Sequence, residues 1–170
     1  MVIQRRWNVM NAKETRTIDE VLRRHQLSHR DFHDVEMLGN EAFDYIRGGL
    51  STARGPRTII NGLKLLLRLA SQAAQDSCGP RFPEVFDAAS TFVTDPDLDV
   101  RTTAARMVVG SLSLLKGLGR GTDAVGGVDR VLSVVRTSLS AEPKPVEREM
   151  LEQGAYGAGY TALSSVGLGT

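Results

Sequence analysis

The segment that decides the fold of this chain is Thr94-Asp-Pro-Asp-Leu-Asp-Val-Arg-Thr-Thr-Ala-Ala-Arg-Met-Val-Val-Gly-Ser-Leu112. It begins with an acidic turn, and acidic side chains favour a helix N-terminus through capping and the helix macrodipole. Small and branched apolar residues follow at helical rather than alternating spacing. The segment therefore predicts a turn followed by a closely packed helix over about residues 97–116.

The same helical spacing recurs along the rest of the chain, and the alternating pattern of strands is scarce. Thr17 and Ser28 are predicted N-caps, and Ser28 with Asp31 approximates a capping box. Gly48-Gly49 is predicted to end the second helix, and Pro56 stands in the first turn of the third. The third helix is apolar around most of its circumference, which predicts a central position. Helices are predicted over about residues 18–26, 29–47, 56–75, 83–92, 97–116, 125–139 and 146–164.

Five residues of the quoted segment carry a family resemblance: Asp95, Val100, Arg101, Ala104 and Ala105. Their spacing resembles the turn and second helix of a HEAT repeat, the armadillo-like helical hairpin of α-solenoid proteins. The resemblance implies that Asp95 caps the inner helix and that Val100 packs inward. It also implies that Arg101 joins a polar ladder between neighbouring units.

The predicted helices pair as hairpins whose second members begin at intervals in the forties, the HEAT and armadillo range. The flanking units depart from the pattern, since Gly55-Pro56 replaces the acidic turn in the first and Val146-Glu147 reverses a charge in the last. We predict an all-α fold, a short right-handed α-α superhelix of about three HEAT-like hairpins, with an orthogonal helix bundle as the alternative. The chain is expected to form one domain, with an N-terminal extension over residues 1–27 and hairpin units over residues 28–78, 79–119 and 120–170.

Composition and charge narrow the class of protein. The chain has 21 basic and 20 acidic residues and a net charge of +1, which argues against a dedicated nucleic-acid binder. Cys78 is the only cysteine, so no internal disulfide can form and a reducing compartment is expected. Neither a secretory signal nor a membrane span is predicted. These features together predict a cytoplasmic protein.

A histidine cluster and an aspartate cluster are candidate metal sites, but neither provides a complete set of ligands. The first consists of three histidines spaced by four residues, His25, His29 and His33. Because Ser28 is predicted to begin a new helix, His25 is not expected to lie on the same helix face as His29 and His33. The two remaining histidines are too few for a structural site, which needs about four ligands. The second cluster, Asp95–Asp99, matches the opening of a calcium loop, but Val100 stands where that loop needs glycine. We expect no metal and no cofactor.

No segment amounts to a catalytic motif. The glycine-rich stretch Gly117–Gly121 follows no predicted strand and lacks the Lys-Ser/Thr ending of a P-loop. Cys78 has no basic or histidine neighbour in sequence that would mark a nucleophile. The serines include no G-x-S-x-G elbow. The chain is therefore predicted not to be an enzyme.

A polar stripe on the third predicted helix is the best candidate for a binding surface. Its members recur at i, i+4, i+7 and i+11, and are Arg57, Asn61, Lys64 and Arg68. Arg101 and Arg106 lie on the equivalent helix of the next unit, so the HEAT resemblance would place all six on one inner face. The third unit instead offers Glu147, Glu149 and Glu152, which predicts a change of sign along that face.

This pattern predicts a non-catalytic protein-interaction or scaffolding module, a segment or subunit of a larger assembly. The partner is expected to be another protein that offers an acidic segment, because arginine and lysine rows match carboxylates. One alternative is a HEAT-like nucleic-acid-binding protein or DNA-repair enzyme. The other is a small dimerising adaptor or inhibitor.

Overall fold

The computed structural model describes residues 10–53, 55–75 and 81–157, with only the backbone described at 74–75 and 154–157. The described residues form an all-α fold, as predicted, and contain no strand. The helices are α1 (Ala12–Leu22), α2 (His29–Glu36), α3 (Gly39–Leu50), α4 (Pro56–Gln75), α5 (Phe82–Ser90), α6 (Leu98–Gly117), α7 (Val128–Ser140) and α8 (Pro145–Gly157), with a 3₁₀ turn at Thr122–Val125. The superhelical arrangement and the division into three units stay predictions.

Helices α4 and α6 form the centre of the molecule. Helix α4 packs against α1, α2, α3, α5 and α6, and α6 also packs against α5 and α8. Leu63 and Leu66 of α4 are fully buried, as are Val100 and Val108 of α6. Burying each such side chain contributes about 1.5–3 kcal/mol. The central position predicted for the helix over 56–75 and the inward packing of Val100 are both confirmed.

Helix α1 begins six residues earlier than the sequence pattern predicts. The side chain of Asn11 accepts hydrogen bonds from the backbone N–H groups of Lys13 and Glu14, and Glu14 Oε2 accepts one from Asn11 N at 2.8 Å. This reciprocal pair is a capping box. The predicted N-cap Thr17 is wrong, because Thr17 lies inside the helix and donates to Lys13 O.

The segment predicted as one helix over 29–47 is two helices. Helix α2 starts after Ser28, as predicted, but it ends at Glu36, and α3 starts at Gly39 with a φ of +62°. That left-handed backbone favours glycine, since other residues cost about 1–2 kcal/mol there. Gly48-Gly49 does not end the helix as predicted, because α3 continues to Leu50.

The turn before α6 differs from the resemblance in one residue. Asp97, rather than Asp95, is the N-cap, and its side chain accepts from the backbone N–H groups of Asp99 at 2.9 Å and Val100 at 3.0 Å. Asp95 accepts from Asp97 N and so shapes the turn that leads into the cap. The cap assigned to Asp95 is therefore wrong by two residues.

The later boundaries shift by a few residues. The turn Thr122–Val125 and two glycines with φ near +90°, Gly126 and Gly127, delay the start of α7 to Val128. The predicted continuation of the last helix to residue 164 lies outside the described residues. Within them, no helix is long and apolar enough to cross a membrane.

Two glycines of α3 should respond to alanine with opposite signs. Gly39→Ala should lower the free energy of unfolding by about 1 kcal/mol, because its φ is left-handed while space for a methyl is available. Gly48→Ala is the matched control: its Cβ would meet no atom within 4 Å, so reduced backbone freedom should stabilise the helix by about 0.5 kcal/mol. Urea unfolding measures both changes. A stabilised Gly39→Ala variant would contradict the helix break.

Candidate binding groove beside helix α4

A groove of about 770 Å³ lies between the α1–α2 turn, α2, the first half of α4 and the N-terminus of α6. Its apolar lining includes three partly buried side chains, Leu27, Phe32 and Ile60, and the exposed Pro56. Its charged lining includes two basic residues of α4, Arg57 and Lys64, and two acidic residues before and within α6, Asp97 and Asp99. Three separate parts of the sequence thus contribute to one surface: the α1–α2 turn with α2, the first half of α4, and the start of α6.

Among the residues that the structure describes, none pairs with the two basic residues of the groove. Arg57 and Lys64 are both exposed, and neither forms a hydrogen bond or an ion pair within the described part of the chain. They are seven residues apart on α4, which corresponds to about 10 Å along the helix axis. Their charges are therefore available to a ligand at two points of the same face.

The two acidic residues of the groove are already engaged. Asp97 caps α6, where its charge is stabilised by two backbone N–H groups and by the helix macrodipole. Asp99 forms an ion pair with Lys144 at 2.6 Å. The hydrogen bond from Lys144, together with its charge, lowers the pKa of Asp99. Both carboxylates therefore already interact with positive groups of the protein, whereas Arg57 and Lys64 have no such partner among the described residues. This difference favours an anionic ligand in the groove.

Asn61 positions one wall of the groove from inside the fold. Its side chain is 3% exposed, and its amide nitrogen donates to the carbonyl oxygens of Leu22 and Arg24, both at 2.9 Å. Those carbonyls end α1, where intrahelical partners are lacking. The sequence assigned Asn61 to partner binding, whereas the structure engages its amide group in fixing the α1–α2 turn.

The buried carboxylate of Asp31 fixes the end of the α1–α2 turn at Ser28. Asp31 is 2% exposed, accepts from Ser28 N and Ser28 Oγ at 2.8 Å, and pairs with Arg24 at 2.9 Å. Burial raises the pKa of Asp31, but the hydrogen bonds from Ser28 and the charges of Arg24 and Arg30 outweigh it, so the net pKa is lowered. The turn that carries Leu27 is therefore tied at both ends before any ligand arrives.

Arg68 and Arg106, both predicted to bind a partner, are paired within the fold. Arg68 forms an ion pair with Glu36 of α2. Arg106 pairs at 2.6 Å with Glu147 of α8, whose side chain is 1% exposed. Glu147 is thus neither exposed nor part of an acidic stretch on the inner face. The predicted change of sign along that face is wrong at Glu147, because this residue neutralises Arg106.

Arg101, the sixth predicted site residue, forms hydrogen bonds to the turn that precedes α6. Its Nη1 atom donates to the carbonyl oxygens of Asp95 and Pro96, both at 2.9 Å. These bonds span five and six residues of sequence. The Nη1 group of Arg101 therefore stabilises the turn before α6, and the ladder role implied by the resemblance stays a prediction.

The structure separates the three histidines of the first candidate metal cluster. His25 lines the groove, while His29 and His33 are exposed on α2. In the parts of the chain that the structure describes, no group of three or more His, Cys, Asp or Glu side chains could hold a metal ion. Cys78 lies outside those parts.

No protein-family model matches this chain, and no match was found among curated proteins or solved structures. The resemblance to HEAT repeats therefore stays a prediction from the five residues that carry it.

Asp31 should give the fold a specific acid sensitivity. Its pKa lies below the ordinary value of 3.8 in the folded state, so its contribution to stability is present above that pH and is lost as the pH falls through the folded-state pKa. Asp31→Asn should therefore be clearly less stable than wild type at pH 7, and the difference should shrink at pH 3. Urea unfolding at the two pH values measures it.

Asp34→Asn is the matched control, because Asp34 is exposed and forms only a 3.7 Å pair with Arg30. This variant should differ little from wild type at either pH. An Asp31→Asn difference of equal size at pH 3 and pH 7 would contradict the role given to the Asp31 carboxylate.

Proposed function

We propose that this chain is a non-catalytic protein-interaction module whose groove beside α4 binds an acidic segment of a partner protein. The observation that carries the proposal is the imbalance of charge in the groove: Arg57 and Lys64 lack partners within the described residues, while Asp97 and Asp99 are engaged. Arginine and lysine donors form charge-assisted hydrogen bonds with carboxylates, which also steer association.

The composition of the groove supports binding of an acidic segment. The carboxylates of Asp97 and Asp99 are committed to the cap of α6 and to Lys144. What the groove offers instead is positive charge beside the apolar surface of Phe32 and Ile60, a combination suited to a peptide.

The finer predictions about architecture and setting belong to the same proposal. The inward packing of Val100 and the pairing of α5 with α6 agree with a HEAT-like hairpin, which would make the chain a scaffold segment of a larger assembly. A single cysteine suits a reducing, cytoplasmic setting. Repeat surfaces of this kind bind partners along several units.

Reversal of the two free charges should abolish binding of an acidic probe. The Arg57→Glu/Lys64→Glu variant should bind a fluorescent deca-glutamate peptide at least about tenfold more weakly than wild type at low salt, with a smaller salt dependence. Fluorescence anisotropy measures the affinity. The control is Arg120→Glu/Arg148→Glu, which changes the net charge equally at exposed positions that do not line the groove.

Equal losses in the two double variants would mean that net charge, not the groove, attracts the peptide. Binding of the same three proteins to a duplex DNA tests the nucleic-acid alternative. If wild type binds the duplex more tightly than the peptide, and the affinity falls steeply with salt, the DNA-binding alternative replaces the proposal.

A further inference from the structure

We infer that the groove recognises a short linear segment in which an apolar side chain stands between two acidic residues. This inference rests on the proposed function and adds the chemistry of the ligand. Its basis is the order of side chains along α4, where Arg57, Ile60 and Lys64 follow each other at i, i+3 and i+7. That spacing keeps all three on one face of the helix, so the groove presents basic, apolar and basic groups in sequence.

The apolar centre of the groove is built from three elements. Ile60 comes from α4, Phe32 from α2 and Leu27 from the α1–α2 turn, and all three line the groove while remaining partly exposed. A ligand side chain that covers this surface removes apolar area from water. The turn that carries Leu27 is already fixed by Asn61 and by the capping box of Ser28, so little ordering accompanies binding.

The distance between Arg57 and Lys64 determines which spacing of acidic residues in a peptide fits the groove. Arg57 and Lys64 are separated by about 10 Å along the axis of α4. In an extended peptide, residues i, i+2 and i+4 share one face, and i and i+4 are about 13 Å apart. The long side chains of arginine and lysine bridge the difference. A carboxylate at i, an apolar residue at i+2 and a carboxylate at i+4 therefore match the three groups of the groove.

The size of the groove agrees with a short segment rather than a folded domain. Its volume of about 770 Å³ falls within the range of about 300–1,000 Å³ that is usual for compact ligand sites. The apolar centre distinguishes this ligand from a generic polyanion, which would use only Arg57 and Lys64. Recognition thus combines two charge contacts with one hydrophobic contact.

A peptide series tests the inference on the full chain. The probe is a fluorescent nine-residue peptide with the centre Glu-Ser-Leu-Ser-Glu and Gly/Ser flanks, and its matched control carries Ser in place of Leu at equal charge. The Leu peptide should bind about fivefold or more tightly than the Ser peptide. A third peptide with both Glu residues adjacent and the Leu outside them should lose that advantage, and a fourth with Gln for both Glu residues should not bind.

The Ile60→Ala variant tests whether Ile60 makes the hydrophobic contact with the leucine of the peptide. In Ile60→Ala, the preference for the Leu peptide over the Ser peptide should fall to about twofold or less, while the Ser peptide binds as it does to wild type. Comparison of the two peptides within each protein cancels any change in folding. If the Leu and Ser peptides bind wild type equally, the inference is overturned and the acidic-segment function stands. If no acidic peptide binds wild type, the proposed function fails as well.

Discussion

The side-chain amide of Asn61 makes the contact on which the groove beside α4 depends. It lies on the central helix, is almost fully buried and donates to two carbonyl oxygens at the end of α1. Removal of such a donor would leave buried backbone acceptors without partners, which costs about 1–3 kcal/mol. By joining α1 to α4, it sets the path of the turn toward Ser28 and hence the wall that Leu27 adds to the groove.

Ion pairing within the fold decides which charges remain for a ligand. The sequence presents a row of basic residues, but Arg68 is paired with Glu36, and Arg106 is paired with a buried glutamate of α8. Removing one member of a buried pair leaves the other charge uncompensated, so Arg106 belongs to the fold more than to the surface. Arg57 and Lys64 form no such pair in the described ranges, and they lie where α2 and the α1–α2 turn supply apolar surface. The candidate site therefore contains two of the predicted basic residues, Arg57 and Lys64, rather than the whole row.

How far the sequence predicts the structure depends on the range of each interaction. The capping box of Ser28 and the helix over 56–75 follow from local spacing and were predicted. The cap at Asn11 was missed because the first turns of α1 are polar and show no apolar period, and the break at Gly39 was missed because Gly48-Gly49 gave the stronger stop signal. The Arg106–Glu147 pair joins residues 41 positions apart, and no local pattern encodes such a contact. Arg57 and Lys64 were predicted as site residues, but only the structure shows that they have no partner among the described residues.

Equilibrium unfolding of Asn61→Asp tests the central claim most directly. Aspartate has the size of asparagine, but it cannot donate, and it would place a carboxylate against the carbonyl oxygens of Leu22 and Arg24. We expect the free energy of unfolding to fall by at least about 2 kcal/mol at pH 7. Exposed Asp34→Asn provides a reference for a harmless exchange between the same two residue types. An unchanged unfolding midpoint in Asn61→Asp would contradict the claim that this buried amide fixes the wall of the groove.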